Sequence, residues 1–177
     1  MLHSISGYYY SNMRDFFVGI LSGVALFLIS YKGYEKIDDI FANISGVFAV
    51  GMILFPTAMY SGAAVKVGML RIPGNISEVI HLSFSALFFL TLSFNSIFLF
   101  TRRHPGVMGR EKKHRNIIYR SCGIVMLLSI ACMTNYTIFL RDTSVSKIYP
   151  VLILESVALI AFGISWLVKG NTLFKDR

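Results

Sequence analysis

The sequence is poor in charged residues and in cysteine, and it lacks the short motifs that mark common enzyme classes. Charged residues make up 15% of the 177 positions, whereas soluble domains carry about 25%. The two cysteines, Cys122 and Cys132, fall in one predicted helix, where ~15 Å separates them and excludes a disulfide. CxxC, HExxH, GxSxG and the phosphate-binding loop are all missing. The composition excludes an ordinary soluble domain, and no motif indicates an enzyme class.

Long apolar runs take the place of a soluble core. Hydrophobic residues make up 55% of the chain, and a membrane-spanning helix needs ~20 consecutive apolar residues. Stretches that meet this requirement occupy residues 16–31, 40–60, 79–101, 117–140 and 148–168. We therefore predict an all-α fold, a polytopic transmembrane helix bundle of five spans that forms one domain over residues 1–177.

Lysine and arginine are divided unevenly between the two sides of this predicted bundle. Of the 17 such residues, eleven fall in the segments after spans one, three and five, and Arg120 at the start of span four brings this side to twelve. The other five fall in the remaining segments. The positive-inside rule places the richer side in the cytoplasm. We therefore expect a protein of the cell inner membrane with its N-terminus outside and its C-terminus in the cytoplasm.

The first fifteen residues have no charged region followed by an apolar core and a cleavage site, so a signal peptide is not predicted. A short N-terminal tail must then cross the membrane unaided. The alternative is that relatives carry one more span upstream and that residues 3–14 belong to an outer loop.

The formal net charge of +8 points to lipid rather than to nucleic acid. The basic residues sit at helix ends and do not line a polar face, as a nucleic-acid-binding surface would require. The most basic segment is the predicted cytoplasmic loop over residues 102–120, for which we expect contact with anionic phospholipid headgroups at ~1 kcal/mol per basic residue. A role in setting the topology alone also explains this charge, and specific binding of a partner is a further alternative. The residues expected to contact headgroups are Arg102, Arg103, Arg110, Lys112, Lys113 and Arg115.

Polar residues within the apolar runs define a candidate pocket. Glu155 lies about two turns into the fifth span, where an ionised carboxylate costs ~2.5–3.5 kcal/mol and needs a partner. We predict an outward-facing pocket around Asp15, His81 and Glu155, with His81 and Glu155 as its central pair. The alternative is that Glu155 and Asn135 form interhelical hydrogen bonds of ~0.6 kcal/mol each. The full set of pocket candidates is Arg14, Asp15, Glu78, His81, Asn135 and Glu155.

No metal site or cofactor is predicted. Catalytic zinc sites usually take three protein ligands, commonly with more than one histidine. His3 is the only other histidine on the predicted outer side, because His104 and His114 belong to the cytoplasmic loop. A three-histidine site would violate the predicted topology.

Aromatic residues, proline and glycine predict local features of the spans. Tyr8, Tyr9 and Tyr10 precede the first span and are typical of an aromatic belt; alternatively, their hydroxyls line the pocket mouth with Arg14 and Asp15. Pro56 is expected to kink the second span. Small residues are expected to allow close helix approach, among them Gly19, Gly23, Gly46, Gly51 and Gly163.

Several motifs resemble those of small bacterial multi-pass membrane proteins of unknown function. They are Ser4-Ile5-Ser6-Gly7-Tyr8-Tyr9, Met13-Arg14-Asp15-Phe16-Phe17-Val18-Gly19, Tyr31-Lys32-Gly33-Tyr34, Leu54-Phe55-Pro56-Thr57, Ile80-His81 and Ala161-Phe162-Gly163-Ile164-Ser165-Trp166. The sequence is more distantly similar to the DRAM-like six-span families, which also place a serine-rich aromatic motif in the first outer loop. The resemblance implies a sixth span in relatives, which this sequence lacks, and no catalytic residues.

The leading functional hypothesis is a non-enzymatic membrane protein that senses, binds or moves a small molecule, a lipid or a proton through the pocket. An intramembrane lipid hydrolase is the first alternative, and it requires that His81, Glu155 and a second acid converge. The other alternative is an assembly subunit of an oligomer, in which Glu155 pairs across a subunit interface.

Overall fold

The computed structural model describes residues 3–58, 65–102, 110–140 and 144–170, without the side chains of residues 110, 144 and 145. It is 81% helical, which confirms the all-α prediction. The α-helices are α1 (Arg14–Ser30), α2 (Lys36–Leu54), α3 (Gly74–Phe94), α4 (Arg110–Asn135) and α5 (Pro150–Lys169). π-helical turns at Asn95–Leu99 and Tyr136–Leu140 extend α3 and α4, and 3₁₀ turns occupy Ser6–Tyr10 and Ser144–Ile148. Strands β1 (Lys66–Val67) and β2 (Ile72–Pro73) pair antiparallel.

Four of these helices are long and apolar enough to cross a membrane, by length and composition. They are Lys36–Leu54, Gly74–Leu99, Glu111–Leu140 and Pro150–Lys169. Helix α1 has 17 residues, which is the lower end of the length range for a spanning helix. The structure thus supports a transmembrane protein with four such helices, and a fifth span through α1 stays a prediction.

The chain divides into two compact units, Met1–Thr91 and Leu92–Arg177, and each is described by itself. In unit 1, helices α1 and α2 pack closely at Gly46. A β-carbon at this position would lie 2.6 Å from Ile29 Cγ1 and 2.8 Å from the Ala25 carbonyl oxygen. Glycine therefore permits this approach. Helices α2 and α3 are joined by a hydrogen bond of 2.8 Å from Ser45 Oγ to Thr91 Oγ1.

Close helix approach is not seen at three other glycines within the described residues. A β-carbon at Gly19, Gly23 or Gly163 would find no described atom within 4 Å. Glycine lowers the steric barrier to helix approach, but the direction in which the residue faces decides whether a neighbouring helix fills the space.

Two carboxylates at the start of α2 hold the turn that joins it to α1. The buried Asp38 accepts hydrogen bonds from the backbone N–H groups of Tyr34 (3.1 Å) and Glu35 (3.3 Å), and Asp39 accepts one from the N–H of Gly33 (2.7 Å). These bonds satisfy N–H groups that the turn leaves outside the helices. The short connection makes α1 and α2 antiparallel neighbours, so the start of α1 and the end of α2 lie at the same end of the unit.

Helix α2 ends at Leu54, and the predicted kink at Pro56 is wrong. The proline ends the helix because the residue before a proline is pushed out of the helical region. Phe55 accordingly takes φ −116° and ψ 82°. The second span was predicted to reach residue 60, so it is shorter than expected, and residues 59 and 60 lie outside the described part of the chain.

Unit 2 contains the end of α3 together with α4 and α5. The π-helical turn after α3 is fixed by Ser96, whose Oγ donates to the Tyr119 carbonyl oxygen at 2.7 Å. The Phe100 ring packs edge-on against Tyr119 (5.4 Å between centroids) and Trp166 (5.1 Å). Helix α4 begins at Arg110, so part of the predicted basic loop forms the first turns of a helix rather than a loop.

Candidate functional site

Three segments far apart in sequence meet at one end of unit 1. They are the 3₁₀ turn Ser6–Tyr10, the chain that follows α2, and the start of α3. Tyr10 donates its hydroxyl proton to the Thr57 carbonyl oxygen at 2.6 Å, and Ser77 Oγ donates to the Pro56 carbonyl oxygen at 2.7 Å. All three segments were predicted to lie on the outer side, and the structure brings them together.

His81 is the centre of this polar cluster. Its side chain is 2% exposed, and both ring nitrogens have partners. Nδ1 lies 2.8 Å from the Phe55 carbonyl oxygen and 3.2 Å from that of Met52, and Nε2 lies 3.0 Å from Ser6 Oγ. A buried imidazole without such partners would be costly, so these contacts explain how α3 holds a polar ring at this depth.

Pro56 explains why His81 meets the backbone of α2. In a continuing helix, the N–H of residue 56 would donate to the Met52 carbonyl four residues earlier. Proline has no N–H, so that carbonyl needs another donor, and His81 Nδ1 reaches it. The histidine thus caps the end of α2 from a neighbouring helix.

The same contacts assign the ring tautomer. Carbonyl oxygens only accept hydrogen bonds, so Nδ1, which faces the Met52 and Phe55 oxygens, carries the proton. In the neutral ring Nε2 is then an acceptor, and the Ser6 hydroxyl donates to it. A hydroxyl, an imidazole and backbone carbonyls therefore follow one another in a directed chain of hydrogen bonds.

Arg14 adds a positive charge at the edge of the cluster. Its Nη2 donates to the Tyr9 hydroxyl at 3.1 Å, and its Cζ lies 4.7 Å from the centroid of the same ring. Tyr9 is buried and contacts Tyr10 edge-on. A guanidinium has five N–H donors, so an anion that approaches the exposed Arg14 can be bound while the bond to Tyr9 is kept.

Tyr10 is held in its neutral, donating form. Burial, as the largest cause, together with the nearby Tyr9 and Glu78 raises the pKa of its hydroxyl to about 12. The tyrosine therefore acts as a hydrogen-bond donor to Thr57 throughout the physiological pH range.

The structure places the predicted pocket residues in different parts of the molecule. Arg14, Glu78 and His81 belong to this end of unit 1. Asp15 is exposed at the start of α1, and the hydrogen bonds of His81 among the described residues go to Met52, Phe55 and Ser6 rather than to Asp15. Asn135 is exposed and Glu155 half-buried in unit 2, so the predicted pair of His81 and Glu155 stays a prediction.

The predicted lipid-contacting residues lie around the start of α4. Arg102 and Lys113 are exposed, and Lys112 and Arg115 are half-buried. Arg103 and the side chain of Arg110 lie outside the described part of the chain. Contact with anionic headgroups at these residues also stays a prediction.

Sequence reasoning missed the partners of His81. The available signal is Pro56, which has no N–H to donate to the Met52 carbonyl. That carbonyl therefore needs another donor near the outer end of the second span, and the sequence places His81 near the outer end of the third span. Ser6 offered no such signal, because 75 positions separate it from His81. Among the described residues, no group of three His, Cys, Asp or Glu side chains is arranged to hold a metal ion.

Comparison with known proteins adds no relative: no family model, no curated protein and no solved structure matches the chain. Fold and site together define a helical membrane protein with a partly buried serine–histidine cluster at one end of its first unit. Its function has to be inferred from the chemistry of that cluster.

Proposed function

We propose that this protein is an integral membrane protein that binds a phospholipid by its headgroup at the His81 end of unit 1. The observation that carries the proposal is the exposed cation of Arg14, which is hydrogen-bonded to the hydroxyl of Tyr9 in the 3₁₀ turn and stacked on its ring. Arginine forms strong, charge-assisted hydrogen bonds to phosphate oxygens. The Tyr10 hydroxyl donates its proton to Thr57, so its oxygen remains an acceptor for donor groups of a headgroup such as hydroxyls.

Exposed apolar side chains on the helices that carry Arg14 and His81 support a lipid rather than a water-soluble ligand. Phe16 on α1 is 68% exposed, and Val79 on α3 is 65% exposed. Large apolar groups this exposed in a transmembrane protein are suited to acyl chains. A phospholipid can therefore place its chains along α1 and α3 and its headgroup at Arg14.

The charge distribution supports an orientation for this site. With the lysine- and arginine-rich side in the cytoplasm, the His81 end of unit 1 faces the outside of the cell inner membrane, and the basic start of α4 faces anionic headgroups of the cytoplasmic leaflet. The proposed phospholipid then comes from the outer leaflet.

Native mass spectrometry of the full-length protein tests the proposal. Protein released from detergent micelles that contain phosphatidylglycerol should retain bound phosphatidylglycerol. Arg14→Gln should weaken this binding about tenfold, which corresponds to ~1.4 kcal/mol, because a charge-assisted hydrogen bond is lost.

Lys66→Gln is the matched control. Lys66 is an exposed cation of β1 in the same unit and on the same predicted side of the membrane, so this variant removes the same charge away from the site. Equal lipid retention by Arg14→Gln and Lys66→Gln would contradict the proposal, since it would mean that net charge alone governs binding.

A further inference from the structure

We propose that Ser6 and His81 form a nucleophile–base pair that transfers acyl groups from an ester. The inference deepens the proposed function, on which it rests only for the identity of the ester: a phospholipid bound at Arg14 carries its acyl esters next to its headgroup. The reactivity of Ser6 itself follows from the geometry around His81 and does not depend on the bound lipid.

The geometry is that of an activated serine. Ser6 Oγ lies 3.0 Å from His81 Nε2, within the 2.6–3.2 Å that proton transfer between a nucleophile and its base requires. Nδ1 is directed to the carbonyl oxygens of Phe55 and Met52, which leaves Nε2 as the acceptor. His81 is almost fully buried, whereas Ser6 is half-buried, so Ser6 is the more accessible member of the pair.

The carbonyl oxygens perform one of the two tasks of the aspartate in a serine–histidine–aspartate triad. They hold the imidazole in the required tautomer and orientation, but they offer dipoles rather than a full negative charge to the imidazolium that forms. Pro56 keeps the Met52 carbonyl available, because no backbone N–H competes for it. We therefore expect slower turnover than in a triad, and covalent modification of Ser6 is the clearest readout.

The proposed step begins as Ser6 Oγ attacks the ester carbonyl carbon and its proton passes to His81 Nε2. The bond between that carbon and the alcohol oxygen then breaks, the alcohol leaves with the proton from Nε2, and the acyl group stays on Oγ. Water completes the cycle: its oxygen bonds to the acyl carbon while Nε2 takes one of its protons. The bond between the acyl carbon and Oγ then breaks, Oγ receives the proton from Nε2, and the carboxylic acid is released.

A fluorophosphonate reagent tests the pair without requiring the natural ester. Ser6 Oγ attacks phosphorus, the phosphorus–fluorine bond breaks, fluoride leaves, and His81 takes the hydroxyl proton. The full-length protein in detergent should become labelled once, and peptide mass mapping should place the adduct on Ser6. Ser6→Ala should abolish labelling, and His81→Gln should slow it by at least about 100-fold, the lower limit of general-base assistance.

Ser11→Ala is the matched control. Ser11 directly follows the same 3₁₀ turn, but its hydroxyl donates to the Tyr8 carbonyl oxygen at 2.8 Å, so this variant should be labelled at the wild-type rate. Wild-type protein denatured in dodecyl sulfate is a second control that does not rely on the folding of a His81 variant. It should lose labelling at Ser6, because activation requires the assembled contacts.

Two results would overturn the inference. One is the absence of a Ser6 adduct in folded wild-type protein. The other is equal labelling of Ser6 in native and denatured protein. The reagent contains no phospholipid, so the two proposals can fail separately. Labelling of Ser6 together with unchanged lipid binding in Arg14→Gln would reject the proposed function and support Ser6 as a nucleophile. Lipid binding that depends on Arg14, without labelling of Ser6, would support the proposed function and reject the nucleophile.

Discussion

Replacement of His81 by alanine should be among the most destabilising single changes in unit 1. The side chain is 2% exposed and contacts the carbonyl oxygens of Met52 and Phe55 as well as Ser6 Oγ. An unsatisfied buried polar group costs ~1–3 kcal/mol, and two carbonyls lose their donor, while the half-buried Ser6 is closer to water. We therefore expect His81→Ala to lower the free energy of unfolding by about 3 kcal/mol or more.

Equilibrium unfolding by dodecyl sulfate in mixed micelles measures this change. Leu82→Ala is the control on the same helix, because Leu82 is 51% exposed and should change the free energy of unfolding by no more than about 0.5 kcal/mol. Pro56→Ala restores an N–H that can donate to the Met52 carbonyl. In that background, His81→Ala should lower the free energy of unfolding by at least ~1 kcal/mol less than it does in the wild-type protein. A His81→Ala variant as stable as Leu82→Ala would refute the capping role of the histidine.

Three further predictions concern packing, titration and topology. Gly46→Val should lower the free energy of unfolding by ~1–3 kcal/mol, because a β-carbon there meets the Ala25 carbonyl. Gly19→Val, where the described residues leave open space, should change the free energy of unfolding by no more than about 0.5 kcal/mol. Equal effects of the two substitutions in unfolding titrations would contradict the described helix contact. The pKa of Tyr10 is raised to about 12, so the contribution of this tyrosine to stability is complete below the ordinary pKa of 10.0 and is lost as pH rises from 10.0 through about 12. Ultraviolet titration should show a late tyrosine transition that Tyr10→Phe removes. Glu78→Gln should lower the pKa of Tyr10. In a background without Cys122 and Cys132, Asn12→Cys should react with a membrane-impermeant maleimide in intact cells and Lys113→Cys only after lysis, and the reverse pattern would overturn the proposed orientation.

Hydropathy was sufficient to predict the helices, because a long apolar run has few stable alternatives in a membrane. It was less informative about where they end. The second span stops at Leu54 because Pro56 cannot continue the hydrogen-bond ladder, and α4 starts at Arg110 because charged residues continue a helix beyond its apolar part.

The site was predictable only in part. Polar side chains within apolar spans are unfavourable without partners, so the sequence indicated that His81 and Glu155 need them. For His81 the partners are backbone carbonyls and a serine rather than a carboxylate. Backbone groups carry no residue-type signal in a sequence, and the pairing of Ser6 with His81 depends on how the 3₁₀ turn packs on α3. The glycines illustrate the same limit, since Gly46 lies at a helix contact and Gly19 has no neighbour within 4 Å in the described part of the chain.

Nitrogen NMR of the imidazole ring of His81 tests the central claim most directly. Protein labelled with ¹⁵N-histidine in micelles, with the His81 signals assigned by their loss in His81→Gln, should show Nδ1 protonated and Nε2 as a hydrogen-bonded acceptor, because carbonyl oxygens face Nδ1 and the Ser6 hydroxyl faces Nε2. Ser6→Ala should shift the Nε2 signal and leave Nδ1 protonated. A ring protonated on Nε2, or one that exchanges between both tautomers as in water, would contradict the account.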